Sequence, residues 1–443
     1  MKFRISAPLQ CLVTLIISIS YSSATLSGYR AFLDPRSMAM GGTGVASSTK
    51  FNASAHNPAL IAFNRGSKPD KIYFSGSLGT RELYDEHVNR DILNFQNQAL
   101  PDDFIEKIKD QGSQVGRDIA IAAGKNLINE LHKINLSSYR SDDESSFNLL
   151  ADTDPVTINV FIRHEIRRMT VIVDQDSESI SNVVNILENP DSGTIAVDFG
   201  RQFSTSVDST FFEYNEFGAT VATTNVIDYN MPIAWGFTPK LIQFSSSHIS
   251  KLINDYDIND PPTEQPSDEN LEWNLDVGFA MLLTDDFLEQ TMDLDGFWLE
   301  GEWVFGISGM NMFPTDVSPY SPSRRNSEFV NEKDTLQTLY QIGLANYREN
   351  FMYTIDFELS EHETFGFEGL TRFISMGTEY YWRDDFYLRA GLRYNMSQTD
   401  AAAKEKTTVS GGFIYQPNGF SIEAAAMIGE VEVGGTVGLG LAF

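Results

Sequence analysis

Val433-Gly434-Gly435-Thr436-Val437-Gly438-Leu439-Gly440-Leu441-Ala442-Phe443 closes the chain, and its period decides the fold. Val433, Gly435, Val437, Leu439, Leu441 and Phe443 fall on one side, while Gly434, Thr436, Gly438, Gly440 and Ala442 fall on the other. A period of two is the period of a strand, whose side chains point alternately to opposite faces. One apolar face, one small or polar face and a final aromatic residue form the pattern of the last strand of a bacterial outer-membrane β-barrel. In such a protein the wall is a container or a pore, so chemistry is sought in the lumen, a plug and the loops.

The same alternation recurs upstream. Leu271, Trp273, Leu275, Val277, Phe279 and Met281 oppose Glu272, Asn274, Asp276, Gly278 and Ala280. Phe351, Tyr353, Ile355, Phe357 and Leu359 oppose Met352, Thr354, Asp356, Glu358 and Ser360. Phe386, Leu388, Ala390, Leu392, Tyr394 and Met396 oppose Tyr387, Arg389, Gly391, Arg393 and Asn395. Charges on one face and aromatics near the ends of the other suit a wall that is polar inside and apolar outside. A soluble sandwich also alternates, but it seldom repeats strands of about ten residues.

Connection lengths supply an independent test. Gln416-Pro417-Asn418-Gly419, Arg383-Asp384-Asp385 and Arg348-Glu349-Asn350 are tight turns, and between them lie longer links at 397–406, 361–371 and 311–335. Short periplasmic turns alternating with longer external loops are the barrel rule. The links at 429–431 and 282–296 depart from it. In the N-terminal half, candidate strands are 71–80, 156–164, 168–175, 193–203, 205–215 and 217–226, for a total of about fourteen to sixteen. Phe104, Ile108, Val115, Ile119, Leu127, Ile128, Leu131 and Ile134 recur at helical spacing instead. A helical insertion is therefore expected near 81–145, with the barrel spanning 71–443.

Composition narrows the function classes. Lys2 and Arg4, the apolar run Leu12 to Ile19 and Ser22-Ser23-Ala24 read as a secretory signal over 1–24. The single cysteine, Cys11, lies inside that segment, so thiol, disulfide and CxxC chemistry are excluded from the mature chain. The net charge of -29 repels phosphate backbones and disfavours direct nucleic-acid binding. It suits an acidic lumen or external loops held near lipopolysaccharide by divalent cations. His56, His87, His132, His164, His248 and His362 are scattered outside any hydrolase motif, so no catalytic residue and no cofactor is expected. Asp255, Asp257 and Asn259 mimic the start of a calcium loop, but Asp260 stands where glycine is required, and no metal site is expected.

Residues 25–70 do not read as wall. Met40-Gly41-Gly42-Thr43-Gly44-Val45-Ala46 and Asn52-Ala53-Ser54-Ala55-His56-Asn57-Pro58-Ala59 are rich in small residues that permit close backbone approach. On this motif and the barrel strands the chain resembles the FadL-like family of outer-membrane proteins. With Arg36, Met40 and His56 it is similar to the branch named TraF-like conjugal-transfer proteins, of the type without a thioredoxin domain. The resemblance implies fourteen strands, an N-terminal hatch filling the lumen and passive transport of hydrophobic molecules of the long-chain fatty-acid type. It implies a hatch role for Gly41, Gly42, Gly44, Asn57, Pro58 and Ala59.

Arg389 and Arg393 share an inward face, with Asp356, Glu358, Glu300, Glu302, Glu272 and Asp276 expected on neighbouring walls. They are expected to form a lumen charge network, because charges inside a plugged barrel must be paired. The expected partners are outer-membrane lipid and lipopolysaccharide, the barrel-assembly machinery through the strand ending at Phe443, and a hydrophobic small molecule. The competing reading is a scaffold barrel serving conjugation or secretion, with no solute of its own.

Overall fold

Alternation this persistent leaves each strand with one face for lipid and one for the interior, and the sheet satisfies both by closing. The computed structural model describes residues 34–63, 71–84, 88–109, 112–135, 137–153, 156–189, 204–227, 231–257, 268–292, 296, 300–325, 328–363, 370–383, 385–397 and 407–443. In chain order its strands are β1 (Lys71–Tyr84), β2 (Ser138–Thr153), β3 (Val156–Val173), β4 (Ser206–Ile227), β5 (Met231–Leu252), β6 (Asp268–Leu283), β7 (Glu302–Met310), β8 (Thr315–Arg325), β9 (Glu328–Leu336), β10 (Leu339–Tyr347), β11 (Phe351–Glu358), β12 (His362–Glu363), β13 (Leu370–Thr371), β14 (Phe373–Arg383), β15 (Phe386–Asn395), β16 (Thr407–Tyr415), β17 (Phe420–Gly429) and β18 (Glu432–Ala442).

Fourteen of these strands form a closed antiparallel barrel in chain order, while β8–β9 and β12–β13 are separate two-stranded hairpins. Closure is made by β1 on β18, with Phe74 opposite Leu441. A closed sheet has no edge, which is what a strand structure needs in hydrocarbon. No described helix is long and apolar enough to cross a membrane. The last strand behaves as its period requires. Val433, Val437, Leu439 and Leu441 face outward and exposed, while Thr436 is buried inside.

The exposed apolar side chains form the outer surface: Leu78 on β1, Val160 on β3, Trp235 and Phe237 on β5, Trp273 on β6. Near the tight turns the aromatic density rises. Phe351 packs on Tyr380 at 4.6 Å and Phe386 on Phe413 at 5.7 Å between ring centroids. Amphipathic rings at that level anchor a barrel at the membrane interface. On β5 the outward apolar series ends at Leu241, yet the strand runs on to Leu252. β4 and β5 are 22 residues each, so at about 3.3 Å per residue they rise well past an apolar band of roughly 25 Å, even when tilted.

The projecting strands carry a helical cap. Its members are α3 (Val88–Gln98), α4 (Leu100–Lys109) and α5 (Gln114–Ile134) from the β1–β2 connection, and α6 (Ser177–Glu188) from the β3–β4 connection, numbered after α1 (Pro35–Ala39) and α2 (Ala53–His56). A short α7 (Asp285–Met292) follows β6 on the opposite, turn-side rim. Ser113 caps α5 by accepting the Gly116 N–H at 3.0 Å. Phe104, Leu127, Leu131, Ile180, Val183 and Ile253 bury one shared apolar core. Of the helical-period residues, Val115 and Ile119 stay exposed.

Several expected strand limits are corrected. The candidates 156–164 and 168–175 are one strand, β3, and 205–215 and 217–226 are one strand, β4. The breaks were placed at charges that turn out to face inward in pairs. Arg167 meets Glu165 at 2.7 Å, and Glu216 meets Arg163 at 3.4 Å. β2 begins at Ser138, inside the span expected to be helical, because Arg140, Asp142 and Glu144 alternate into the lumen. The candidate strand 193–203, the signal 1–24 and Asn259 lie outside the described residues.

Candidate functional site

Residues 34–63 lie inside the barrel, and nearly all of them are buried. This inner segment is α1, a loop, α2 and a 3₁₀ turn over Pro58–Ala62. Asp34 caps α1 by accepting the Ser37 N–H at 3.0 Å, and Pro35 occupies the first helical position, where a missing N–H costs nothing. Burial pushes the Asp34 carboxyl up, but its hydrogen bond and charge attraction to His56, with the bonds from Ser37, hold it at about 2. Asn57 fixes the second half: its Nδ2 donates to the Val45 carbonyl at 2.7 Å and the Phe279 carbonyl of β6 at 2.9 Å. Its Oδ1 accepts the Ala59 N–H at 3.1 Å and so caps the 3₁₀ turn.

The wall makes room for this backbone with glycine. A Cβ on Gly391 of β15 would lie 2.1 Å from Gly41 N, and one on Gly278 of β6 would lie 2.1 Å from Asn57 Oδ1. Gly236, Gly306, Gly343 and Gly377 stand in the same relation to Pro58, Val45 and Met40. They stand four to six residues in from the turn-side ends of their strands, with Gly391 opposite Gly377 and Gly278 opposite Gly236. The inner segment therefore fills the turn-side half of the lumen, backbone against backbone. Gly41 has φ +70°, a conformation glycine adopts without strain, and its N–H donates to Ser410 Oγ at 3.0 Å.

Charge fastens the same segment. Asp356 Oδ2 on β11 accepts the Gly44 and Val45 N–H groups at 2.6 and 2.9 Å. Arg36 pairs with Glu379, which also holds Arg389 at 2.7 Å, and Arg389 in turn pairs with Glu423. Lys50 pairs with Asp152. Glu358 accepts the Phe373 N–H at 2.8 Å. Arg393 reaches Glu432 at 3.1 Å, in a second cluster where Asp142 meets Arg81 at 2.9 Å, Arg140 at 2.7 Å and Arg167 at 3.0 Å. Asp276 pairs with Lys240 at 2.8 Å.

Of the expected network residues, Arg389, Arg393, Asp356 and Glu358 face the lumen, but not in one ring. Arg389 and Asp356 engage groups around the inner segment, while Arg393 belongs to the outer cluster. Glu300 and Glu302 are corrected: β7 begins only at Glu302, both residues are exposed at the turn-side rim, and Glu300 pairs with Arg348 at 2.6 Å. Glu272 is likewise exposed.

Three features escaped the sequence reading. First, Ser37, His56 and Asp34 converge, but Ser37 Oγ and Asp34 Oδ2 both meet the same ring nitrogen, Nε2. A relay needs the carboxylate on the other nitrogen, so this trio braces α1 against α2. Second, Phe212, Tyr214, Ile242 and Phe244 point inward from β4 and β5 and pack with Leu336 of β9. Phe244 lies 5.2 Å from Tyr214 and 5.8 Å from Phe212 between ring centroids. Even-numbered aromatics on these strands were the available signal. Third, a narrow cleft runs between the inner segment and β1–β4, and Tyr214 joins it to the aromatic cluster. Its other walls include Ser75, Glu144, Asn148 and Arg163.

The family described as "F plasmid transfer operon, TraF, protein" matches residues 54–288, over half of the chain. No curated protein matches it. Among solved structures, a deletion mutant of the TodX monoaromatic hydrocarbon channel is similar at 12% identity and a TM-score of 0.46, over 94% of this chain and 98% of that one. The Ralstonia pickettii toluene transporter TbuX is similar at 10% identity and a TM-score of 0.28, over 94% and 98%. The translocator domain of the Neisseria meningitidis autotransporter NalP is similar at 7% identity and a TM-score of 0.30, over 86% and 90%.

Proposed function

This chain belongs to the TraF family of the F plasmid transfer operon, and from that premise we propose that it is an outer-membrane transport barrel for small apolar molecules, with its inner segment as a hatch. The observation that carries the reading is the aromatic cluster at Phe212, Tyr214, Ile242 and Phe244. A lumen otherwise furnished with paired charges has no structural need for three inward aromatic rings at its mouth. The cluster is buried beneath Leu336 of β9, and an apolar guest that displaces Leu336 would meet an apolar surface there.

In this reading the solute leaves the outer face, dwells on the aromatic cluster and follows the cleft past the edge of the hatch. The hatch must yield for the solute to go further, since it fills the turn-side half. The Arg36–Glu379 pair and the Asp356–amide bonds set the resistance to that motion. Lipid and lipopolysaccharide surround the wall, and the β18 strand is the segment offered to the assembly machinery.

The test is uptake of a monoaromatic hydrocarbon, a long-chain fatty acid and a disaccharide by cells lacking the protein, with the wild type or Phe212→Ser/Phe244→Ser restored. Wild-type chain is expected to speed uptake of an apolar compound. The double variant should lower that gain about tenfold, equivalent to a change of ~1.4 kcal/mol, with the disaccharide unaffected. Equal apolar uptake with and without the protein would remove the transport reading. Co-purified plasmid-transfer components in that case would favour the scaffold barrel, which the family description brings into view.

A further inference from the structure

A cluster of buried oxygen atoms behind the inner segment is left over from the network. Asp356 is 3% exposed and uses only Oδ2 on the Gly44 and Val45 amides. Its Oδ1 is buried without a hydrogen-bond partner. So is Oε1 of Gln341, a residue 5% exposed on the neighbouring strand β10. Ser308 Oγ of β7 is in the same condition, and Ser308 stands directly opposite Gln341. Across the other side, Gln341 stands opposite Glu358, and Gly343 opposite Asp356. Ser308, Gln341 and Glu358 thus share one level of the inner wall, and Asp356 lies one same-face step along β11, diagonal to Gln341.

Asp356 and Gln341 line a small cavity with Gly42, Glu358, Ser375 and Arg393, roomy enough for about one water-sized sphere. Glu358 is occupied by the Phe373 N–H and Arg393 by Glu432. What remains is a half-used carboxylate facing neutral oxygens. Leaving buried acceptors unsatisfied costs about 1–3 kcal/mol each, and more for a charged group. An all-oxygen donor set is the environment of a hard cation. One uncompensated negative charge is balanced by a single positive one. Among the described residues no group of three or more His, Cys, Asp or Glu is placed to hold a metal ion, which disfavours a divalent cation.

We propose that a monovalent hard cation of the sodium class binds in the cavity lined by Asp356 and Gln341 and locks the inner segment to the wall. The cation neutralises Oδ1 of the same carboxylate whose Oδ2 holds the Gly44 and Val45 amides. With the ion present the carboxylate stays charged and oriented, and both amide bonds persist. Without it the buried charge is relieved by letting water in or by taking up a proton, and the segment loosens. The lock rests on the contacts of residues 41–47 alone, so it stands or falls independently of what the barrel transports.

The experiment is amide hydrogen exchange of residues 40–47 in the full chain, folded in detergent. It compares sodium chloride, choline chloride and calcium chloride at matched ionic strength and fixed pH. Sodium is expected to slow exchange about tenfold relative to choline, and calcium to give no further slowing. Gln341→Leu should abolish the sodium effect while keeping heat-modifiable migration, and lipid-facing Val409→Ala should retain it. Should Gln341→Leu not fold, Gln341→Glu serves in its place, with the added charge strengthening the sodium effect. Equal exchange in sodium and choline overturns the proposal, as does a sodium effect that survives Gln341→Leu.

Discussion

The two halves of the lumen solve opposite problems. On the turn side, glycines such as Gly391 and Gly278 remove every side chain between wall and inner segment, so backbone packs on backbone. On the helical side the wall bears large side chains, the Asp142 arginine cluster and the Phe212–Phe244 rings, and Tyr214 links the rings to the cleft along the inner segment. The first half is built to be occupied by one known segment of this chain. The second is filled by side chains of the wall itself, in ion pairs and ring contacts. Close packing that leaves no void is specific but intolerant, whereas paired charges and rings around a cleft tolerate exchange of the occupant.

The difference can be broken most forcefully at Arg36. Arg36→Ala leaves Glu379 and Glu423 sharing Arg389 alone in a buried site, where breaking such a pair costs about 3–5 kcal/mol. Exchange of residues 34–63 should rise sharply while the outer cleft, read by exchange in β4, holds. Uniform loosening of both halves would show that they are one cooperative unit.

Acid acts on the other half first. His362, in the β12 hairpin on the helical side, is buried and its imidazole is pushed down from 6.5 to about 4 by desolvation. The unfolded loop therefore binds the proton more readily between those values. Stability is full above 6.5, falls as pH drops through this window and levels off below about 4, with a loss of at most about 3 kcal/mol for that hairpin. Asp34 acts in the same direction but at lower pH. Its contribution persists down to the ordinary carboxylate value near 3.8 and fades as pH falls toward about 2. Proteolysis near 362–371 should rise at pH 5, with the inner segment still protected, and His362→Gln should flatten the response.

Gly391→Val tests the close packing alone. The added atoms meet Gly41 N and the Met40 carbonyl carbon within 2.2 Å, and overpacking of this kind costs about 1–3 kcal/mol. Single-channel conductance should show more frequent opening, whereas Gly411→Ala, whose nearest neighbour lies 3.5 Å away, should not. The smallest effect is expected on the cap: Val115→Ser, at an exposed position, should change thermal stability by no more than about 0.5 kcal/mol.

Much of this molecule was legible in one dimension. The two-residue period at Val433–Phe443 and at Leu271–Met281 depends on nearest-neighbour geometry, and it holds in β18 and β6. The same reasoning faltered at Arg163–Arg168 and Glu213–Phe217, where charges were read as interruptions. Glu165 and Arg167 pair within β3, but Glu144 and Glu216 reach Arg163, and Asp142 reaches Arg167, from neighbouring strands, and strand register is not written locally. Glu300 and Glu302 were placed in the lumen for the same reason: parity was readable, but the height at which the wall begins was not.

By itself, then, the sequence determined which residues alternate, and alternation determined a closed wall with apolar side chains outward. It determined that the stretch from Met40 to Ala59 is too small-sided to be wall. Only the tertiary structure decided that glycines from separate strands fall at one height to seat that stretch. It also decided which carboxylate meets which arginine, and that Asp356 and Gln341 line one cavity. Those facts depend on register between strands tens of residues apart, set jointly by every pair around the ring, and a local pattern carries no record of it.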